Sequence, residues 1–265
     1  MRFLFWNINK KPLQTLVADA AREYNADVVV LAELADDPRV FCDLLNHEYP
    51  GFHPASPNLC ERVKVFFRFD PAKSETIYES RWVTAHNLWL DPLRPLNLVG
   101  VHLPSKLWTT LGDQVFDCVD LRDTIEEVEF RALHARTLVV GDFNMNPFED
   151  GMVAARGLHA TMNRASATGR IVRRRFHRSF YNPMWSKFGD LTPGPSGTHY
   201  WRGDHVSFDW NMFDQVLLRP SLAEKLVQEK IKIVDYIAGV SLHDGTGAPD
   251  GRRYSDHFPI VFEVD

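Results

Sequence analysis

The 265-residue chain is 45% hydrophobic, 12% aromatic and 25% charged, with a mean hydropathy of -0.26 and no apolar run long enough to cross a bilayer. Its net charge of -5 excludes a uniformly basic nucleic-acid binder. Cys42, Cys60 and Cys118 are odd in number and far apart, which excludes a disulfide framework and a Cys-x-x-Cys metal knuckle and points to a reducing, cytoplasmic setting.

In chain order, "RFLFW" (2–6) reads as a strand rather than as the apolar core of a signal peptide. Pro12 is expected to open a helix carrying Leu13, Leu16, Val17, Ala20, Ala21 and Tyr24 on one stripe. "ADVVVLAE" (26–33) is a continuous apolar run, typical of a central strand covered on both faces. "RVKVFFRF" (62–69) alternates as a half-buried antiparallel strand does. "LNLVGVHL" (96–103) is a further strand, closed by a "PSK" loop. Residues 114–134 place Cys118, Leu121, Ile125, Val128 and Ala132 on one helical stripe, and "RTLVVGDF" follows as a strand. Residues 180–204, rich in Gly, Pro and aromatics, predict a long ordered loop. "MFDQVLL" and "HFPIVFEV" are late strands, separated by a short helix over 221–229 with Ser221 as its N-cap. With no repeat, low-complexity tract or boundary, residues 1–265 read as one α/β domain of mixed-sheet sandwich type.

Several of these strands end on polar residues of catalytic types: Asn7, Glu33, His102, then Asp142 and Asn144. Asp214 sits at the start of a late strand, and Asp256 and His257 stand just before the last one. Taken singly, each is a common turn, cap or solvated strand-end residue. Together they supply the parts of phosphodiester hydrolysis. Glu33 is an oxygen ligand for a hard divalent cation, with Asn7 as its neutral neighbour. Asp142 can take a proton from water while Asn144 holds the nucleophile or phosphate. Protonated His257, oriented by Asp214, meets the charge building on the phosphoryl oxygens, and His102 gives a second phosphate contact.

In these residues the chain resembles the endonuclease/exonuclease/phosphatase superfamily. The resemblance runs in order through "WNIN" (6–9), "DVVVLAE" (27–33), "GVHLPSK" (100–106), "VVGDFNMNP" (139–147), "MFDQVLL" (212–218) and "SDHFPIVF" (255–262), and is nearest to an uncharacterised bacterial branch. It implies a four-layer α/β sandwich of two mixed sheets flanked by helices, with the site at one sheet edge. It also implies dependence on Mg²⁺, with Mn²⁺ as the alternative, and adds Asp256 as a further metal contact beside Glu33 and Asn7. Ala32 stands where the family often has Gln, which turns the expectation away from an abasic-site enzyme.

Residues 156–178 carry seven arginines and no acid, so the rest of the chain is -12. An aromatic stretch follows. Arg173, Arg174, Arg175, Tyr181 and Trp185 are therefore the expected contacts to a phosphate backbone with splayed bases. A nuclease acting on DNA or RNA is the first expectation, with a partner protein able to set its specificity. A phosphatase or diesterase for a small or lipid phosphate is the second, and a phosphate-binding module without turnover the third.

Overall fold

The computed structural model describes residues 1–203, 205 and 207–265. Two larger sheets face each other. One runs in the order Lys232–Ile233, Ile260–Glu263, Arg2–Asn7, Val28–Ala32, Val63–Phe67, His53–Pro54. The other runs Ser74–Glu79, Val83–Leu88, Leu96–His102, Thr137–Asp142, Asp214–Leu218, Phe180–Tyr181, Ala160–Thr161. Each sheet contains a parallel pair between antiparallel neighbours: Arg2–Asn7 beside Val28–Ala32, and Leu96–His102 beside Thr137–Asp142. These strands are buried along nearly their whole length, as the continuous apolar runs require.

The sheets pack through Arg2–Asn7 on Thr137–Asp142 and through Val63–Phe67 on Leu96–His102. Helices Gln14–Glu23 and Pro38–Glu48 pack together outside the first sheet, burying Val17, Ala18, Ala20, Ala21, Phe41 and Leu45 in the main core. Helix Leu111–Ala132 covers the second sheet with Cys118, Leu121, Ile125 and Val128. The order helices, sheet, sheet, helix is the expected four-layer α/β sandwich.

Several local expectations are corrected. The first helix starts at Gln14, because Pro12 lies in a preceding turn closed by Leu13 N–H on the Lys11 carbonyl. The long helix begins at Leu111, where Thr110 and Asp113 form a capping box. The Val63–Phe67 strand is not half-solvated: Val65, Phe66 and Phe67 are all buried, since the opposing sheet covers one face and a helix the other. The helix expected over 221–229 is one turn, Pro220–Ala223, with Arg219 rather than Ser221 at its cap. Leu226 then bridges Val264, and Val227 N–H bonds the Glu263 carbonyl, so sheet pairing wins over helix propensity. The 180–204 stretch is ordered through Phe180–Tyr181, a 3₁₀ turn at Pro183–Lys187 and a hairpin from His199–Trp201 to Asp209–Asn211; its last residue, Asp204, lies outside the described residues. Helix Pro38–Glu48, capped by Asp37, and strands Ser74–Glu79 and Val83–Leu88 were not anticipated.

Gly141 is set by close approach. A Cβ there would lie 1.9 Å from the Val101 carbonyl oxygen of the neighbouring parallel strand. Gly141→Ala must part these strands, and is expected to cost roughly 3 kcal/mol, the upper end of overpacking penalties, seen as a lower urea midpoint. His86 is buried between Thr84 and Thr76 hydroxyls at 2.9 and 3.0 Å, and burial drives its pKa down to about 3. Between its ordinary value near 6.5 and 3 the unfolded chain takes up a proton that the folded one refuses. Stability therefore falls as pH drops through that window, by up to about 1.4 kcal/mol per pH unit from this group. Denaturant titrations from pH 7 to 4 on the wild type and His86→Gln should show a flatter profile for the variant.

Candidate active site

In a parallel pair, strands end at the same side of a sheet. The registers Asn7↔Ala32 and His102↔Asp142 therefore bring four strand ends to one edge of the sandwich. Asp214 joins them because its strand runs antiparallel and begins there, opposite Asp142. Two residues then turn sharply out of their strands in the left-handed region, Glu33 at φ 55° and Asn144 at φ 51°. Such backbone is costly for non-glycine residues and is held here by neighbours. Glu33 N–H bonds the Arg62 carbonyl, and Asn144 N–H donates to Asp142 Oδ1 at 2.8 Å.

Asp142 is the centre of the arrangement. Asn7 Nδ2 donates to its Oδ2 at 2.9 Å, and the same oxygen lies 3.7 Å from His102 Nε2 and 3.9 Å from His257 Nε2. Burial pushes this carboxyl up, but the two imidazoles and the hydrogen bonds from Asn144 and Asn7 outweigh it and hold it below the usual range. His257 Nδ1 lies 2.8 Å from Asp214 Oδ2. Burial disfavours a charged imidazole, yet Asp214 and Asp142 together raise His257 to about 10. The proton of this pair is held on the imidazole, and desolvation raises Asp214. The ring is fixed further by its own backbone: His257 N–H bonds Ser255 Oγ, whose hydroxyl donates to the Asn7 carbonyl, and Trp6 Nε1 donates to the His257 carbonyl.

All eight residues expected to be catalytic or metal-binding are brought together. Glu33 Oε1 lies 3.6 Å from His102 Nε2, and Asn9 Nδ2 ties Asp256 Oδ1 to this edge at 2.9 Å. Asn7, Glu33, His102, Asp142, Asn144, Asp256 and His257 line one cavity of about 410 Å³, and Asp214 stands behind His257. Asn144 Nδ2 is spent on the Leu103 carbonyl at 2.9 Å, leaving its Oδ1 for a ligand.

The expected substrate contacts are placed elsewhere. Tyr181 is buried in a strand paired with Leu218, with Arg164 over its ring. Trp185 packs against Phe148. Arg173, Arg174 and Arg175 lie on the exposed Arg170–His177 hairpin. That hairpin leads into Arg178, which pairs with Glu129 beside Arg219, at the opposite end of the strand from Asp214.

Sequence reasoning missed Asn9, Lys106, His199 and Asn211, which also line the cavity. His199 stacks on Phe213 at 5.1 Å and leans on His257 at 4.8 Å. Burial, then the neighbouring His257 charge, lower it to about 4. Its only sequence signal was its place in "THYWRGD", a segment with no motif of its own.

The donor chemistry fits a hard divalent cation. Glu33, Asp256 and the Asn7 carboxamide put oxygen ligands on one cavity whose only ammonium or guanidinium group among the described residues, Lys106, is engaged by Glu149. Among the described residues, the acid–imidazole clusters tight enough for one ion are instead His199–Asp256–His257 and Asp142–Asp214–His257. Asp214→Ala would remove the carboxylate hydrogen-bonded to the buried His257 cation and leave only the weaker pull of Asp142 and Asp256. It is expected to cost about 3 kcal/mol in urea unfolding of chelator-treated protein.

The family model described as Endonuclease/Exonuclease/phosphatase family matches residues 4–257. No functionally curated protein matches the chain in sequence closely enough to count as a relative. Among solved structures, a Neisseria 3′ phosphatase, NExo, bound to product DNA hairpin is similar at TM-score 0.60 and 15% identity, over 100% of this chain and 99% of that one. The human Nocturnin catalytic domain is similar at TM-score 0.59 and 13% identity, over 100% and 94%. An AP endonuclease from Archaeoglobus fulgidus is similar at TM-score 0.57 and 14% identity, over 100% and 99%. The match to the family model, over nearly the whole chain, shows that the chain belongs to the endonuclease/exonuclease/phosphatase family of phosphoester hydrolases.

Proposed function

We propose that the protein is a divalent-metal-dependent phosphodiesterase that hydrolyses a nucleic acid, DNA or RNA, by attack of water. The observation that supports this best is the buried Asp142 carboxylate, with an imidazolium on one side and the Glu33, Asn7 and Asp256 oxygens on the same cavity. A Mg²⁺ or Mn²⁺ ion held by Glu33, with Asn7 and Asp256 as further ligands, would neutralise charge on the scissile phosphate. Asp142, kept ionised by its neighbours, accepts the proton of the attacking water, and Asn144 Oδ1 orients that water. His257 donates its Nε2 proton in a hydrogen bond to the phosphoryl oxygen as charge builds there, with Asp214 holding the ring. His102, between Glu33 and Asp142, gives the second contact to the phosphate.

The nucleic-acid assignment draws on the similarity to proteins described with a DNA product and as an AP endonuclease, and on the aromatic side of the cavity. The arginine hairpin, rooted at the far end of the sheet, favours a second reading: a phosphate ester of a small molecule that fits a cavity of about 410 Å³.

Purified protein and Asp142→Asn, each with Mg²⁺ or chelator, should be assayed on single- and double-stranded DNA, RNA, and inositol or sphingolipid phosphates. Metal-dependent cleavage of a nucleic acid is expected, and Asp142→Asn should lower turnover by about two to four orders of magnitude while the protein stays folded. Turnover only of a small phosphate ester would replace the substrate and keep the site. A folded protein inert on every substrate would favour a phosphate-binding module.

A further inference from the structure

The chemistry above uses one side of the cavity. The same cavity is also lined by apolar side chains, Leu107 from the loop after the Leu96–His102 strand, Trp201 from the His199–Trp201 strand and Phe208 just before its partner strand Asp209–Asn211. These large side chains are 81%, 53% and 60% exposed, although they line a cavity in which Asn7, His102, Asp142, Asn144 and His257 are buried. Trp108, next to Leu107 on the turn closed by its N–H on the Ser105 carbonyl, is 86% exposed.

The wall is braced. Phe208 meets Phe148 edge-on at 5.4 Å, and Phe148 is backed in turn by Phe188 at 6.1 Å and Trp185 at 6.2 Å. Trp201 lies against Gly203, where a Cβ would come within 2.6 Å of the indole and would have to displace it. Ser207 Oγ donates to the Trp201 carbonyl at 2.7 Å, holding the two aromatic positions of the hairpin in fixed relation. Trp201 and Phe208 keep more than half of their surface exposed, and Lys106, on the same cavity, lies 5.3 Å from the Phe213 ring centroid.

We propose that Leu107, Trp201 and Phe208 form a nucleobase subsite, which stacks an unpaired base adjoining the scissile phosphate and so directs the enzyme to single strands and frayed ends. This rests on the nucleic-acid reading above. The chemistry of the wall selects the ligand: aromatic faces take any base by stacking, without sequence preference. In the interior of a duplex each base is already stacked and paired, so it reaches this wall only after a costly extrusion. Phe148, Phe188 and Trp185 are positioning residues behind Phe208, which gives Trp185 an indirect part in binding.

The test compares kcat/KM on a single-stranded oligonucleotide, the same strand with a base-free residue at the cleaved position, and a covalently closed circular duplex. The single strand should be preferred over the closed duplex by tenfold or more. Trp201→Ala and Phe208→Ala should each lower kcat/KM on the base-bearing strand by about tenfold, mainly through KM, and bring the ratio of base-bearing to base-free cleavage towards one. Trp201→Phe, which keeps a ring face, should restore most of that ratio. Equal cleavage of the closed duplex, or alanine variants that lower both strands in the same proportion, would overturn the subsite while leaving the nuclease assignment in place. Hydrolysis of small phosphate esters with no cleavage of any nucleic acid would overturn both.

Discussion

A carboxylate at Asp142 that is 1% exposed would be expelled or neutralised unless its charge were answered locally. The answer comes from four directions: a backbone N–H two residues on, the Asn7 amide from the other sheet, His102 from the adjacent strand, and His257 from the loop before the last strand. Each partner needs its own support. Asp214 and Ser255 hold His257, and Trp6 ties its carbonyl to the first strand. Satisfying one buried anion therefore draws together residues more than 200 positions apart.

The sandwich makes this possible at little cost. Parallel pairs at the heart of both sheets deliver their ends to the same edge, and the continuous apolar runs behind them keep those ends from shifting. Gly141 lets the second pair approach closely enough for His102 and Asp142 to lie side by side. The strained turns at Glu33 and Asn144 stand at the outlet of that packing, where a rigid scaffold can sustain them. Charge at the far end of the sheet is managed separately, by Glu129 between Arg219 and Arg178.

The two walls of the cavity differ in how they are built. The polar residues gather at strand ends, with Asn7, His102, Asp142, Asn144 and His257 buried and Glu33 and Asp256 half-buried. The apolar side chains are carried by a loop and a hairpin and are more exposed, with Phe208 backed by Phe148 and by Trp185 and Phe188 of a second segment. Polar groups fixed at strand ends beside side chains carried on loops make a division common at functional sites.

By itself the sequence determined the central strands of both sheets, because their apolar runs have few other ways to be buried, and the candidate site residues, because acids, amides and imidazoles at strand ends have a short list of uses. It did not show where the arginines go: seven of them spread over residues 156–178 state composition, not which end of a sheet they flank. Nor could it separate Tyr181, buried by a two-residue strand, from Trp201, exposed on a hairpin, since both are aromatics in one loop-like stretch. The helix expected over 221–229 stops after the single turn Pro220–Ala223 because Leu226 pairs with Val264, a contact that local propensity does not contain. His199 became part of the site only when the chain folded back beside His257. Local pattern sets what each segment can be, whereas the side of the cavity on which a residue stands is decided by contacts between segments far apart in the chain.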